Sequence, residues 1–134
     1  MAVGDWLLDK SAAARASEPR VGAQLSDLAG RLFVCPVGEL EQLYSARSAS
    51  DYDALKAELH DSLGIVGAPP DIFERALGLQ RALAHHHGMW HRTPIPDLLI
   101  AEIAIHHALG VVHFDGDFDR IAEVRPLTLR RLGP

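Results

Sequence analysis

Residues 97–114 read DLLIAEIAIHHALGVVHF, and this stretch decides the fold class. Apolar residues occupy nearly every side of a helix over residues 97–109, which is typical of a helix packed deep against a sheet. Gly110 is a residue type that commonly ends helices, and the VVHF that follows has the composition of a buried strand. The stretch therefore predicts a buried helix followed directly by a strand.

Helical and strand patterns alternate through the rest of the chain as well. The apolar runs WLL at residues 6–8 and LFVC at residues 32–35 predict two further strands, and a helix-forming segment follows each of them. The prolines of TPIP, residues 93–96, disfavour the helical conformation in the residues before them, which predicts an extended turn and a new helix beginning at Asp97. Strands separated by helices indicate an open α/β sheet, mostly parallel, with helices on both faces. Other helices are predicted over residues 11–17, 21–30, 37–47, 51–63, 70–91 and 118–122, with either an edge strand or a loop at 64–70 and a final strand near the C-terminus.

The composition predicts one compact domain over residues 1–134. Hydrophobic residues make up 48% and charged residues 23%, which argues against disorder throughout and against a pure coiled coil. Charged and histidine residues interrupt the longest apolar stretch, and Asp5 stands where a signal peptide carries basic residues, so we expect no membrane span and no export signal. Cys35 is the only cysteine, which fits a cytoplasmic location, and its apolar neighbours predict a buried core residue rather than a reactive thiol.

The formal net charge of -5 limits the partners that the protein surface can attract. Such a surface as a whole repels nucleic acid. Any polyanionic partner therefore needs a local basic patch or a bridging cation.

Three acids stand at the ends of predicted elements, where ligands bind in open α/β sheets. Asp9 and Asp115 follow predicted strands, and Asp97 opens a predicted helix. Each has an ordinary alternative role: Asp9 and Asp97 could cap helices, and Asp115 could form a hairpin turn with the glycine that follows it. The spacing alone leaves both sets of roles open.

Convergence of these acids with one glutamate of the helix at 37–47 would create a cation site. Glu39 and Glu41 lie about 200° apart on a helical wheel, so at most one of them faces a given site. Clustered carboxylates repel one another, and a bound cation removes that penalty. Ligation by carboxylate oxygens selects hard ions such as Mg²⁺ or Mn²⁺ over zinc, and such sites commonly serve phosphoryl chemistry.

Other metal motifs fit the sequence poorly. DGDFDR begins like a calcium loop, but it carries Arg120 where the loop needs glycine and Pro126 where it needs glutamate. His87 and His91 are spaced by one helical turn but lack the intervening glutamate of a zinc protease and a third ligand. His113 is the histidine placed nearest to an acid that follows a strand.

Four stretches in order resemble one family over essentially the whole chain. They are DKSAAAR at 9–15, ELEQLYSAR at 39–47, HRTPIPDLLIA at 91–101 and VVHFDGDFDRIA at 111–122. Together they resemble the PIN-domain ribonucleases, and within that superfamily the VapC toxins of bacterial type II toxin-antitoxin systems. The resemblance implies a three-layer α/β/α fold around a central, mostly parallel sheet.

The same resemblance implies a set of site residues. Glu41 rather than Glu39 corresponds to the glutamate that precedes the Leu-Tyr-Ser-Ala-Arg-like segment of these toxins. The implied roles are catalytic and metal-binding for Asp9, Glu41, Asp97 and Asp115, metal-binding for Asp117, and substrate-binding for Ser11 and Arg15.

The implied activity is hydrolysis of RNA phosphodiesters with Mg²⁺, or Mn²⁺, and metal-activated water, which leaves a 5′-phosphate and a 3′-hydroxyl. Arg15, Arg47 and Arg92 are the arginines expected at the rim of the site, where they would bind flanking phosphates. The implied partners are an RNA substrate, an inhibitory VapB-type antitoxin and a second copy of the chain, in a homodimer or a higher heteromeric complex.

Three other functions compete with the toxin hypothesis. A housekeeping PIN-type nuclease of RNA processing would use the same acids, and a non-catalytic acidic α/β binding module would use them only as caps and surface charges. A phosphoacceptor receiver domain would also fit the length and topology, but it needs a lysine after its last strands, and no lysine follows Lys56.

Overall fold

The computed structural model describes residues 4–114 and 116–133, so Asp115 lies outside the described residues. Its central sheet has five strands in the order β3-β2-β1-β4-β5, and each neighbouring pair is parallel. The strands are β1 (Trp6–Leu8), β2 (Leu32–Val34), β3 (Gly64–Ile65), β4 (Gly110–His113) and β5 (Leu129–Arg131). The predicted α/β class with a mostly parallel sheet is confirmed.

Helices cover both faces of this sheet. Because side chains alternate along a strand, Leu7 and Val111 point into one hydrophobic cluster, while Leu8 and Val112 point into the other. The helices are α1 (Lys10–Ala13), α2 (Pro19–Ser26), α3 (Pro36–Leu43), α4 (Ala49–Ser62), α5 (Ile72–Ala84), α6 (Ile95–His106) and α7 (Asp117–Ala122), with a 3-10 helix at Met89–Arg92. Residues of α5, α6 and α7 contribute to the first cluster, and residues of α1 and α2 contribute to the second. The sheet therefore lies between two helical layers, which is the three-layer arrangement that the resemblance implied.

Helix α6 is buried on several sides because it packs against α3, α5, α7 and β4. Leu98, Ile100 and Ile103 are fully buried. Glu102 is also buried, and the guanidinium of Arg125 lies 3.2 Å from its carboxylate. This ion pair supplies the opposite charge that a buried acid requires.

The predicted helix over residues 70–91 is wrong over residues 85–91. Helix α5 ends at Ala84, and the chain then turns through His87 and Gly88, which have φ angles of 59° and 63°. Two successive residues in the left-handed region cannot continue a right-handed helix, so the chain resumes in a separate 3-10 helix.

The start of α6 also differs from the expectation. The helix begins at Ile95, with Pro94 as its N-cap, so Asp97 lies within the first turn and does not open the helix. Pro96 is compatible with this position because the first backbone N–H groups of a helix have no partner within the helix. Only the beginning of the TPIP segment is extended.

The hairpin alternative was placed on Asp115, which lies outside the described residues, but the described strands β4 and β5 are not joined as a hairpin. Strands β4 and β5 are parallel, and α7 begins directly after Gly116. A hairpin would make these neighbouring strands antiparallel.

Cys35 is buried in the first hydrophobic cluster, as expected. None of the helices formed by residues 4–114 and 116–133 has both the length and the apolar character to cross a bilayer.

Helix α5 offers a matched test of the core. Leu79 is fully buried, whereas Leu77 on the same helix is 64% exposed. We expect Leu79→Ala to lower the free energy of unfolding by about 2–5 kcal/mol because it leaves a cavity in the core. Leu77→Ala makes the same change in the same helix and should shift it by less than about 0.5 kcal/mol. Urea denaturation of both variants measures the difference, and equal effects would contradict the packing described for α5.

Candidate metal centre

Three carboxylates from separate elements meet at the carboxyl end of the sheet. Asp9 follows β1, Glu41 lies in α3 beyond β2, and Asp97 lies in the first turn of α6. One ligand oxygen from each lies within 4.8 Å of the others. Asp9 is only 3% exposed and Asp97 only 6%, while the side chain of Glu41 is 14% exposed. The structure thus brings together three of the acids that the sequence singled out.

The strand order explains why the acids meet here. From β1 the chain builds β2 and β3 on one side, and it later returns to add β4 and β5 on the other. The carboxyl ends of β1 and β4 flank the point where the order reverses, which is where open α/β sheets bind ligands.

Asp9 divides its two carboxylate oxygens between two roles. It is the N-cap of α1, and its Oδ2 accepts hydrogen bonds from the backbone N–H of Ser11 at 3.0 Å and from the Ser11 hydroxyl at 2.6 Å. Its Oδ1 is buried and makes no hydrogen bond with the described residues. Capping and a site role, which the sequence left as alternatives, are therefore compatible in one side chain.

Ser11 joins the two central strands at this point. Its hydroxyl donates to Asp9 Oδ2 and accepts a hydrogen bond of 2.9 Å from the backbone N–H of Phe114, at the end of β4. The resemblance implies a substrate-binding role for Ser11, and in the structure its hydroxyl contacts Asp9. Only the tertiary structure reveals the contact with Phe114, because that residue is distant in sequence.

The two glutamates of α3 have different surroundings. Glu41 Oε2 lies 3.3 Å from Lys10 Nζ, beside the other acids. Glu39 Oε1 instead lies 3.1 Å from Lys56 Nζ and 2.8 Å from His60 Nε2, both on α4. Burial raises the pKa of Glu39, but the hydrogen bonds with His60 and Lys56 outweigh it and hold that pKa below its usual value. Glu39 therefore joins α3 to α4, and Glu41 faces the acid cluster.

The acids that follow β4 are only partly described. Asp115 lies outside the described residues. Asp117 begins α7, and its Oδ1 accepts a hydrogen bond of 2.7 Å from Arg120, which also donates to the backbone carbonyl of Arg92. The group of described acids close enough to share one cation does not include Asp117.

The three arginines expected at the rim lie in different places. Arg15 donates to the Ser11 carbonyl at 2.9 Å, and its guanidinium lies 4.0 Å from the centre of the Phe114 ring. Arg15 also lines a cavity that Glu41 borders. Arg47 lines a different cavity, between α3 and α4, and Arg92 is exposed in the 3-10 helix.

Among the described residues, no histidine and no cysteine joins the group of acids that could share a cation. His87 and His91 are exposed in separate elements, so the one-turn helical pair does not exist. His113 is buried in β4, with its ring 5.6 Å from that of Phe118. Burial raises the pKa of the Cys35 thiol, which makes its reactive thiolate scarce at neutral pH.

Two contacts at the site were not predicted from the sequence. Lys10 pairs with Glu41, and Arg120 holds Asp117. The position of Lys10 directly after Asp9 was a usable signal, because that position brings its side chain near the same strand end.

A cation of the Mg²⁺ or Mn²⁺ type fits these donors. The ligand set is made of carboxylate oxygens, and Asp9 Oδ1 is a buried acceptor that no described residue satisfies. At these separations each pair of negative charges repels by about 1 kcal/mol in water and about 4 kcal/mol at an effective dielectric constant of 20. A divalent cation would remove this repulsion.

The fold and the site define an α/β protein with a cluster of three carboxylates at the switch point of a parallel sheet. Residues 5–124 match the PIN domain family. The chain is 56% identical over 124 residues to Ribonuclease VapC17 of Mycobacterium tuberculosis, with 90% of each chain covered. The chain therefore belongs to the PIN-domain family, and within it to the VapC ribonucleases.

Solved structures share the fold at low sequence identity. VapBC2 from Rickettsia felis, crystallised with a DNA fragment from its promoter, gives a TM-score of 0.75 at 18% identity and covers 96% of this chain and 98% of its own. VapBC-5 from Mycobacterium tuberculosis, a member of the VapBC family of toxin-antitoxin systems, gives a TM-score of 0.69 at 22% identity, with 96% and 98% covered.

The hydrogen bonds of Ser11 generate a prediction about metal affinity. We expect Ser11→Ala to weaken Mn²⁺ binding by about 10-fold, because Asp9 loses one of the two donors that orient it and keeps only the backbone N–H, whereas Ser11→Thr keeps the hydroxyl and most of the affinity. Isothermal titration of Mn²⁺ into metal-free protein measures both.

Two further variants serve as the positive and negative controls of that titration. Asp97→Asn removes a proposed ligand and should lose more affinity than Ser11→Ala, while Asp27→Asn, an exposed acid beyond α2, should match the wild type. Equal affinity of Ser11→Ala and wild type would show that the hydroxyl does not position Asp9 for a metal.

Proposed function

We propose that this protein is an Mg²⁺-dependent endoribonuclease and the toxin of a type II toxin-antitoxin system, with residues 1–134 forming a single nuclease domain. The observation that carries the proposal is the convergence of Asp9, Glu41 and Asp97, where the buried Asp9 Oδ1 accepts no hydrogen bond from the described residues. The name Ribonuclease VapC17, borne by a protein 56% identical over nearly the whole chain, supports RNA as the substrate.

The proposed metal ligands are Asp9, Glu41, Asp97 and Asp115, with Asp117 as a fifth acid. When bound, the Mg²⁺ or Mn²⁺ ion lowers the pKa of a bound water and offsets negative charge on the phosphate oxygens. Ser11 holds Asp9 in one orientation, and the ammonium of Lys10 partly neutralises Glu41. Arg15 is proposed to bind RNA at the rim, as its place in the cavity beside Glu41 suggests.

A hydrogen bond between Arg120 and Asp117 restrains the fifth acid. Asp117 Oδ1 accepts this bond at 2.7 Å, so Arg120 would help to orient the carboxylate beside a bound ion. The bond also ties α7 to the backbone before α6, and so it fixes the distance between Asp117 and the segment that carries Asp97.

The proposed protein partners follow from the relatives. VapBC-5 is a member of a family of toxin-antitoxin systems, and VapBC2 was crystallised with promoter DNA. We propose that a VapB-type antitoxin likewise binds and inhibits this chain, that the toxin forms a homodimer or a higher heteromeric complex with it, and that the protein acts in the cytoplasm.

The test is cleavage of RNA by antitoxin-free protein. Total cellular RNA incubated with Mg²⁺ should give discrete fragments, and both a chelator and the Asp97→Asn substitution should reduce cleavage by at least about 100-fold, since they remove the metal or one of its ligands. Asp27→Asn, purified in the same way, should cleave like the wild type. If wild type and Asp97→Asn produce the same fragments, the activity does not come from this site.

Expression in a bacterial host separates a toxin from a housekeeping nuclease. Wild-type protein should arrest growth, whereas the Asp97→Asn variant should not. Harmless expression of a protein that cleaves RNA in vitro would favour the housekeeping function.

A further inference from the structure

A cavity of about 520 Å³ opens beside the carboxylate cluster, between α1, α3 and α4. Glu41 lines both the cavity and the cluster, so a ligand in the cavity would adjoin the metal centre. Lys10 and Arg15 contribute positive charge to its walls, while Tyr44 and Leu55 contribute apolar surface. None of these residues except Glu41 belongs to the acid cluster itself.

Tyr44 is the most unusual of these residues because its side chain is almost fully in solvent. It is 92% exposed at the end of α3, three residues after Glu41 and therefore on the same side of the helix. Leu40, one turn before Tyr44 and 68% exposed, borders a smaller cavity together with Lys10, Glu41 and Tyr44. An aromatic ring so exposed adds little to the core, and its whole face is available to a ligand.

The charges beside this ring favour a nucleotide over an apolar protein segment. Lys10 lies on α1 and Arg15 in the turn that follows it, and they are the cations of a cavity wall that also contains the Glu41 carboxylate. Aromatic rings that stack on bases, next to cations that pair with phosphates, are the usual elements of single-strand RNA binding. On a chain with a net charge of -5, Lys10 and Arg15 supply positive charge beside the ring, and Lys10 also pairs with Glu41 at 3.3 Å.

We propose that this cavity binds the nucleotide adjoining the scissile phosphate, with its base stacked on Tyr44 and its backbone phosphate paired with Lys10 and Arg15. This assignment rests on the proposed ribonuclease function. It makes Tyr44 a substrate-binding residue that acts on affinity and on the choice of the flanking base.

The test uses an RNA oligonucleotide that spans a cut mapped in the cleavage experiment. Removing one stacking ring weakens single-strand binding by roughly 5- to 150-fold, so Tyr44→Ala should raise KM by a factor in that range and change kcat much less. Tyr44→Phe keeps the ring and should restore the affinity. Tyr44→Leu keeps apolar bulk without a ring and should behave like Tyr44→Ala. Phe73→Ala removes an aromatic ring that is 70% exposed on α5 and serves as the matched control.

A spectroscopic measurement reports the stacking itself. The oligonucleotide carries 2-aminopurine in turn at each position flanking the cut, and the Asp97→Asn background prevents cleavage during the measurement. The fluorescence of 2-aminopurine should be quenched at one flanking position by the protein with Tyr44 and by the Tyr44→Phe variant. The Tyr44→Ala and Tyr44→Leu variants should not quench it.

The outcomes separate the two proposals. If wild type cleaves RNA and Tyr44→Ala has an unchanged KM and unchanged quenching, the nucleotide subsite is wrong and the ribonuclease proposal stands. If Tyr44→Leu binds RNA as tightly as wild type, the cavity provides only apolar contact and the stacking assignment is overturned. If wild type cleaves no RNA, the proposed function fails and the subsite fails with it.

Discussion

The parallel pairing of β1 with β4 is the constraint on which the site depends. Trp6 lies opposite Gly110 in this register, and Leu8 lies opposite Val112. A Cβ atom at position 110 would lie 2.5 Å from the Trp6 ring and 3.0 Å from the Thr128 carbonyl oxygen. A side chain at position 110 would therefore clash with both neighbouring residues. Gly110 therefore both follows α6 and permits the close approach that aligns the ends of β1 and β4. The bond from Phe114 to Ser11 forms across those ends, and Ser11 in turn orients Asp9.

The acid cluster opposes folding in the absence of a cation. Asp9 and Asp97 are buried near Glu41, and Glu41 forms an ion pair with the half-exposed Lys10. Two packed layers, with Leu7 and Val111 on one side and Leu8 and Val112 on the other, hold the strands that bring these charges together. Part of the free energy of burying the core is thus used to keep the acids close. A metal ion that bound these residues only in the folded chain would raise the free energy of unfolding.

Hydrophobic patterning predicted the architecture well because each pattern reports the burial of its own segment. The apolar surface of α6 and the short runs of β1 and β2 have no other stable location than the interior of a layered sheet. The prediction was wrong over residues 85–91 because the left-handed turn at His87 depends on two backbone angles, while the histidine run carries no strong helix-breaking signal before Gly88. Helix boundaries near proline were also misplaced, since Pro96 is as compatible with a first helical turn as with an extended segment.

Some features of the site could be predicted from the local sequence, and others depend on contacts between distant segments. The helical wheel separated Glu39 from Glu41, and the structure gives the two glutamates different partners. The role of Ser11 could not be read from spacing, because its hydroxyl is defined by a contact with Phe114, 103 residues away in the chain. The same applies to Arg120, whose guanidinium joins α7 to a carbonyl of the 3-10 helix. Patterns along the chain identified residues that carry charge, and only the packing of distant segments determined which atoms of those residues remain available for chemistry.

A carboxylate centre that acts on RNA must bring a polyanion against a negatively charged surface. A cation at the cluster reduces the repulsion at one phosphate only, and the rest of the strand still meets a chain with a net charge of -5. Base stacking is insensitive to that repulsion because the face of a base carries no charge. An exposed ring such as Tyr44 can therefore bind the strand next to the acids. Additional cations at the same place would compete with a metal ion for the carboxylates. The ion pair of Lys10 with Glu41 illustrates this competition, since an ammonium group close enough to bind a phosphate is also close enough to bind the acid. An uncharged stacking contact beside the acid cluster can therefore add to the phosphate pairing proposed for Lys10 and Arg15 without placing another charge next to the acids.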